Sequence, residues 1–124
     1  MEKLVNCNLI IDIKTINRIS GGAQKFEVFF ISGNDIKYKI DFESVWDMRY
    51  SIESGCIDRF AKFKRTVNKT SSILAVDNSS RISYFKKQSS GTRPTEKLKE
   101  YILFDEVDTV ISLLSASEPI LMEI

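Results

Sequence analysis

The sequence predicts an α+β fold, an antiparallel β-meander of about four strands followed by helices that alternate with short strands and pack on one face of the sheet. Three observations predict it. Apolar residues alternate in period two through the first half of the chain, and their spacing lengthens to three and four in the second half. The chain has 124 residues, 43% of them apolar, which fits one domain over residues 1–124 around a single core.

The first strand is expected where Val5, Cys7, Leu9, Ile11 and Ile13 fall on one parity and Asn6, Asn8, Asp12 and Lys14 on the other. Ser20-Gly21-Gly22 reads as a turn, Phe26–Ile31 as a second strand and Gly33-Asn34-Asp35 as another turn. Ile36, Tyr38, Ile40 and Phe42 alternate with Lys37, Lys39 and Asp41 in a third strand. Trp46, Met48, Tyr50 and Ile52 alternate with Asp47, Arg49, Ser51 and Glu53 in a fourth, which ends near Gly55.

Beyond Gly55 the pattern becomes helical. Ile57, Phe60, Ala61 and Lys64 trace a short helix that runs into a basic loop over residues 66–72. Ile73–Val76 resembles a short buried strand. Ser79 or Ser80 can cap a helix carrying Ile82 and Phe85, which Gly91-Thr92-Arg93-Pro94 stops. Leu98–Phe104 is a further strand. The strongest helical pattern follows: Asp105 as cap, Glu106 and Asp108 near the N-terminal dipole, and Val107, Val110, Ile111 and Leu114 at i, i+3, i+4 and i+7, with Pro119 at the end.

Composition excludes much chemistry. There is no histidine, so no Ser-His-Asp or Cys-His system and no imidazole ligand is available. Cys7 and Cys56 alone cannot furnish the four ligands of a structural zinc site, and they are too few for a disulfide framework. No cofactor, no metal and no catalytic residue is therefore expected. The glycine-containing turns lack the spacing and lysine of a phosphate loop. No continuous hydrophobic leader precedes the first strand, and no apolar run exceeds the four residues of Val28–Ile31. A soluble, cytoplasmic protein is the expectation, with no membrane partner.

The net charge of +1 conceals a partition. Residues 1–58 carry −2, residues 59–99 carry +9 and residues 100–124 carry −6. The basic stretch holds Arg59, Lys62, Lys64, Arg65, Arg81, Lys86 and Lys87, interleaved with Phe60, Phe63, Tyr84 and Phe85. Basic residues with aromatics between them suit a groove for single-stranded nucleic acid. Helices that bury their aromatics and solvate their lysines produce the same composition, so nucleic acid is the secondary reading. Asp47, Arg49 and Glu53 share one face of the fourth strand, about 7 Å between neighbours, where Arg49 can bridge both carboxylates or present them to a protein. The alternative protein-binding set is the acidic group Glu100, Asp105, Glu106 and Asp108.

The segments Trp46-Asp47-Met48-Arg49-Tyr50-Ser51-Ile52-Glu53 and Tyr101–Ile111, followed by Glu118-Pro119, resemble small bacterial immunity proteins encoded beside polymorphic or contact-dependent inhibition toxins. In these a strand of the Tyr-Ile-Leu-Phe kind leads through an acidic residue into an amphipathic helix. The resemblance implies a non-enzymatic protein that binds and occludes a cognate toxin domain, as a monomer or homodimer.

Overall fold

A computed structural model of the chain describes residues 2–52, 64–65, 71–88, 97–107 and 109–124. Over these residues the fold is mostly β: β1 (Lys3–Val5), β2 (Ile13–Gly22), β3 (Lys25–Ser32), β4 (Lys37–Phe42), β5 (Val45–Ile52), β6 (Lys64–Arg65), β7 (Ile73–Asp77), α1 (Ser80–Gln88), β8 (Lys99–Phe104), β9 (Thr109–Ser115) and β10 (Ile120–Glu123). The strands form two sheets, ordered β5-β9-β8-β7-β1-β6 and β10-β4-β3-β2. All described pairings are antiparallel except that of β1 with β6. The expected α+β arrangement, with several helices packed on one sheet, is therefore wrong.

The largest correction is at residues 105–118. The segment expected to be the strongest helix is β9, which lies between β5 and β8 in the six-stranded sheet. Val110 through Ser115 are all buried, and a strand covered on both faces loses the period-two alternation that identifies a half-buried one. Its apolar residues then match a helical template by accident, while the β-branched run Thr109-Val110-Ile111 favours the extended chain.

Two other segments follow the sequence pattern but not the expected hydrogen bonding. Residues 5–13 alternate between half-buried or buried odd positions and exposed even ones. Val5, Cys7, Leu9 and Ile11 pack against the core and Ile13 lies within it. Only Lys3–Val5 is laddered at the start; the rest is an extended crossing from one sheet to the other, tied by the Ser72 N–H to the Ile11 carbonyl at 2.7 Å. The first hairpin turns not at Ser20-Gly21-Gly22 but at Ala23 and Gln24, with φ of 51° and 72°. Gly21 and Gly22 belong to β2. At Gly21 a Cβ would meet the Lys25 carbonyl oxygen and the Phe26 ring, so the close approach of the two strands requires glycine there.

Strands β3 and β4 pair as the expected meander has them, but the strand before them is β2 rather than residues 5–13, and the neighbour of β4 on its other side is β10 rather than β5. The chain passes after β4 into the other sheet, where β5 pairs with β9. Between the sheets lies a core of Ile13, Val28, Phe30, Ile40, Phe42, Val45, Ile73, Tyr101, Leu103, Ile111 and Leu113. A second cluster, Leu4, Leu74, Val76, Ile102 and Val110, sits on the opposite face of the six-stranded sheet. That sheet is thus apolar on both sides.

The short strand at 73–76 and the strand ending at Phe104 are present as β7 and β8. The Ser79-capped helix is α1, with the Ile82 N–H donating to Ser79 Oγ at 3.2 Å. The Glu2 carboxylate accepts from the Ser80 N–H at 3.2 Å and from its hydroxyl at 2.9 Å. It thereby places negative charge at the helix N-terminus. The helix expected from Ile57 and the stop at 91–94 lie outside the described residues, except that Lys64 belongs to β6. Among the described residues no helix is long and apolar enough to cross a membrane.

Candidate functional site

The face of the six-stranded sheet that bears α1 carries a buried polar network. Asp47 on β5, Glu100 on β8 and Ser112 on β9 are brought side by side by the ladder register Glu100↔Leu114 and Ile102↔Ser112, with Asp47↔Leu114. Arg81 reaches down from the first turn of α1. It sits one residue before Ile82 and four before Phe85, on the apolar stripe of the helix, and is 8% exposed.

Glu100 is fully buried at 0% exposure. Its Oε1 accepts the Ser79 hydroxyl at 2.6 Å and its Oε2 accepts the Ser112 hydroxyl at 2.5 Å. Arg81 donates through one terminal nitrogen to Ser112 Oγ and through the other to Asp47 Oδ2. Its separation from Glu100 Oε2 is 3.8 Å. Burial pulls the Arg81 guanidinium below its usual pKa; Glu100 and Asp47 oppose that shift, and Arg49 adds to it. Ser79 caps the helix and binds the sheet at once, so the network fixes where α1 docks. Trp46 completes the contact from β5, its indole 5.9 Å from the Phe85 ring.

Two residues expected in separate sets, Asp47 and Glu100, are therefore joined by a third that sequence reasoning counted only as part of a basic run. The signal for Arg81 was its position on the apolar stripe. The expected bridge from Arg49 to Asp47 is not made: the guanidinium that holds Asp47 is Arg81, and Arg49 is exposed. Glu53 lies outside the described residues.

Of the acidic set, Glu100 is inaccessible and Asp105 is half-buried and accepts from backbone N–H groups. Asp105 Oδ1 accepts the N–H groups of Val107 and Thr109 at 3.0 Å each, while Oδ2 accepts that of Ile16 at 3.0 Å. It thus staples the β8–β9 loop to β2 of the other sheet. Glu106 is exposed and ties the same loop to β2 through its N–H and the Lys14 carbonyl, at 3.2 Å. Asp108 lies outside the described residues.

Of the basic stretch, Arg81 is buried, whereas Lys86 and Lys87 are exposed in the last turn of α1 near exposed Tyr84. Lys64 and Arg65 form β6; Arg59 and Lys62 are outside the described residues.

A cleft of about 550 Å³ opens beside the network, between the end of β1, the β7–α1 junction and the start of β8. Cys7, Asn78, Ser79, Lys99 and Glu118 line it. Burial raises the Cys7 thiol pKa, which keeps it protonated and a poor nucleophile. The other cysteine, Cys56, is outside the described residues. Among the described residues no group of three or more His, Cys, Asp or Glu side chains could hold a metal ion.

Among the accessible segments is β5. It is the terminal strand of its sheet among the described residues, and it carries Arg49, Tyr50 and Ile52 in succession on exposed surface. Met48 packs on the core, but Tyr50 and Ile52, on the same parity, are 58% and 52% exposed. The sequence pattern alone assigns all three to the interior. Comparison with protein-family models, curated proteins and solved structures finds no match to this chain.

Proposed function

We propose that this chain acts by binding, as an immunity-type protein that occludes a cognate bacterial toxin domain, with no chemistry of its own. The observation that supports this reading is the exposed apolar pair Tyr50 and Ile52 on one face of the terminal strand β5, with Arg49 exposed on its other face. Tyrosine and arginine are the residue types that dominate binding energy at protein interfaces, and isoleucine adds apolar area beside them. The buried Glu100 supports it in another way, since a carboxylate with no access to solvent cannot serve a substrate. A binding protein needs only shape, charge and a few anchors.

The test is capture of the tagged chain from nuclease-treated native cells, alongside the variant Tyr50→Ala. One stoichiometric protein retained by the native chain and lost with the variant, and whose toxicity the native chain suppresses, is the expected result. Tyr50→Ala should weaken binding by about 10- to 100-fold. Equal capture by both forms overturns the site. If no protein is captured and nucleic acid is recovered once nuclease is omitted, the binding surface is Lys86, Lys87 and their basic neighbours. Affinity would then fall by about 0.7–0.9 decades per decade of salt for each phosphate neutralised.

A further inference from the structure

β5 has a second property that its exposed side chains do not explain. Asp47 and Arg49 lie two residues apart on one face, yet they do not pair with each other. Arg81 holds Asp47 Oδ2, and the Asp47 side chain is still 41% exposed. Arg49 is exposed beside it with no carboxylate within ion-pair distance among the described residues. A strand edge bearing a partly exposed acid and an exposed base at i and i+2 is complementary to itself when reversed.

We propose that β5 pairs antiparallel with β5 of a second copy about a twofold axis at Met48, each Arg49 facing the partner's Asp47. This goes beyond the toxin-binding reading and does not rest on it.

The register follows from symmetry and charge. A twofold axis normal to the sheet keeps the helix-bearing faces of both copies on one side, so only residues of like parity can face each other. Centred on Arg49, the pairing would oppose Arg49 to itself. Centred on Tyr50, it would set Arg49 against Ser51 and leave the charge unanswered. Centred on Met48, it forms two Arg49–Asp47 pairs, with cross-strand Cβ atoms about 4.5–5.5 Å apart, within reach of a guanidinium-carboxylate contact. The second copy supplies a carboxylate to Arg49, which has none within ion-pair distance among the described residues.

The contact is short. A register shift between Val45 and Asp47 interrupts the ladder at one end, and the Val45 N–H is already donated to the Gln24 carbonyl at 2.7 Å. Bulges of this kind limit how far an edge can extend by pairing. The dimer is accordingly weak and concentration-dependent, and its two six-stranded sheets become continuous.

Sedimentation velocity of the purified full chain over a concentration series up to about 1 mM tests this. The native chain is expected to move from monomer to dimer, with no larger species. Arg49→Glu opposes acid to Asp47 and should weaken association at least about tenfold, with the thermal unfolding midpoint unchanged because Arg49 is exposed. Mixing Arg49→Glu with Asp47→Lys restores both pairs and should give a heterodimer where neither variant alone dimerises. If Asp47→Lys does not fold, because Asp47 also holds Arg81, the comparison of native chain with Arg49→Glu decides. A native chain that is monomeric throughout the series, or a dimer that Arg49→Glu leaves intact, overturns the proposal. Because no toxin is present, neither result depends on the captured partner.

Discussion

Replacing Arg81 by methionine keeps the length of the side chain but removes a positive charge 3.8 Å from Glu100 Oε2. Glu100, at 0% exposure, would keep the hydroxyls of Ser79 and Ser112 but lose the guanidinium. Breaking a buried pair by removing one member costs about 3–5 kcal/mol, because the other charge stays buried without compensation. The Asp47 arm adds little: its side chain is 41% exposed, and a screened pair of that kind is worth about 0–1 kcal/mol. Against a domain stability of about 5–15 kcal/mol, Arg81→Met thus removes a large fraction. Glu100→Leu should also destabilise, because Arg81 remains buried. The double variant Arg81→Met/Glu100→Leu replaces the whole pair by apolar groups and should return to within about 1–2 kcal/mol of the native chain. Urea unfolding followed by the fluorescence of Trp46, which lies against Phe85 of α1, reads each variant at the helix–sheet contact. The double-mutant cycle should yield a coupling of about 2 kcal/mol or more with the slope on urea unchanged. Additive single costs would refute the reasoning, showing that Arg81 and Glu100 are stabilised independently.

Burial raises the Tyr101 phenol to about 12, above the 10.0 expected in the unfolded chain. The folded state therefore keeps a proton the unfolded state gives up, so stability is full below about pH 10 and falls as pH rises towards 12. The loss is on the order of 2–3 kcal/mol, and Tyr101→Phe should flatten that segment of a stability–pH curve. At the β2–β3 turn, Ala23→Asn with Gln24→Gly should raise stability by about 1–2 kcal/mol, because both positions have positive φ. A urea midpoint that fails to rise would contradict the turn geometry. Asp105→Ala should cost about 2–4 kcal/mol by stranding three backbone N–H groups, whereas Asp105→Asn should cost less, since the amide oxygen can still accept; equilibrium unfolding distinguishes them.

Strands β3, β4, β5 and β7 and the cap of α1 were legible from the sequence because each has one wet face or a recognisable boundary. The alternation over Val5–Ile13 also reported burial faithfully, although it marks an extended crossing rather than a ladder. Period-two patterning records which side chains are covered and is silent on what the backbone bonds to. Residues 109–115 were misread for a related reason: burial on both faces erases the pattern that distinguishes strand from helix. The site was legible in part. Asp47 and Arg49 were found as a pair on one strand, but their true contacts depend on which strands become neighbours, and sequence periodicity carries no strand order. Arg81 and Glu100 meet only because β8 and β9 pair and α1 lies across them.

The pairing of β10 with β4 joins residues 120–123 to residues 38–41. During synthesis, at about 5–20 residues per second, roughly 4–16 s separate the making of Asp41 from that of Ile120. For that interval the β2-β3-β4 meander presents β4 as an open edge to a crowded ribosomal surface. Lys37, Lys39 and Asp41 alternate along it, and Lys39 reaches Glu27 at 2.7 Å on the neighbouring strand. Charges on a temporary edge discourage pairing with a neighbouring nascent chain. Charged side chains along β4 would thereby guard assembly until the strand they await has been made.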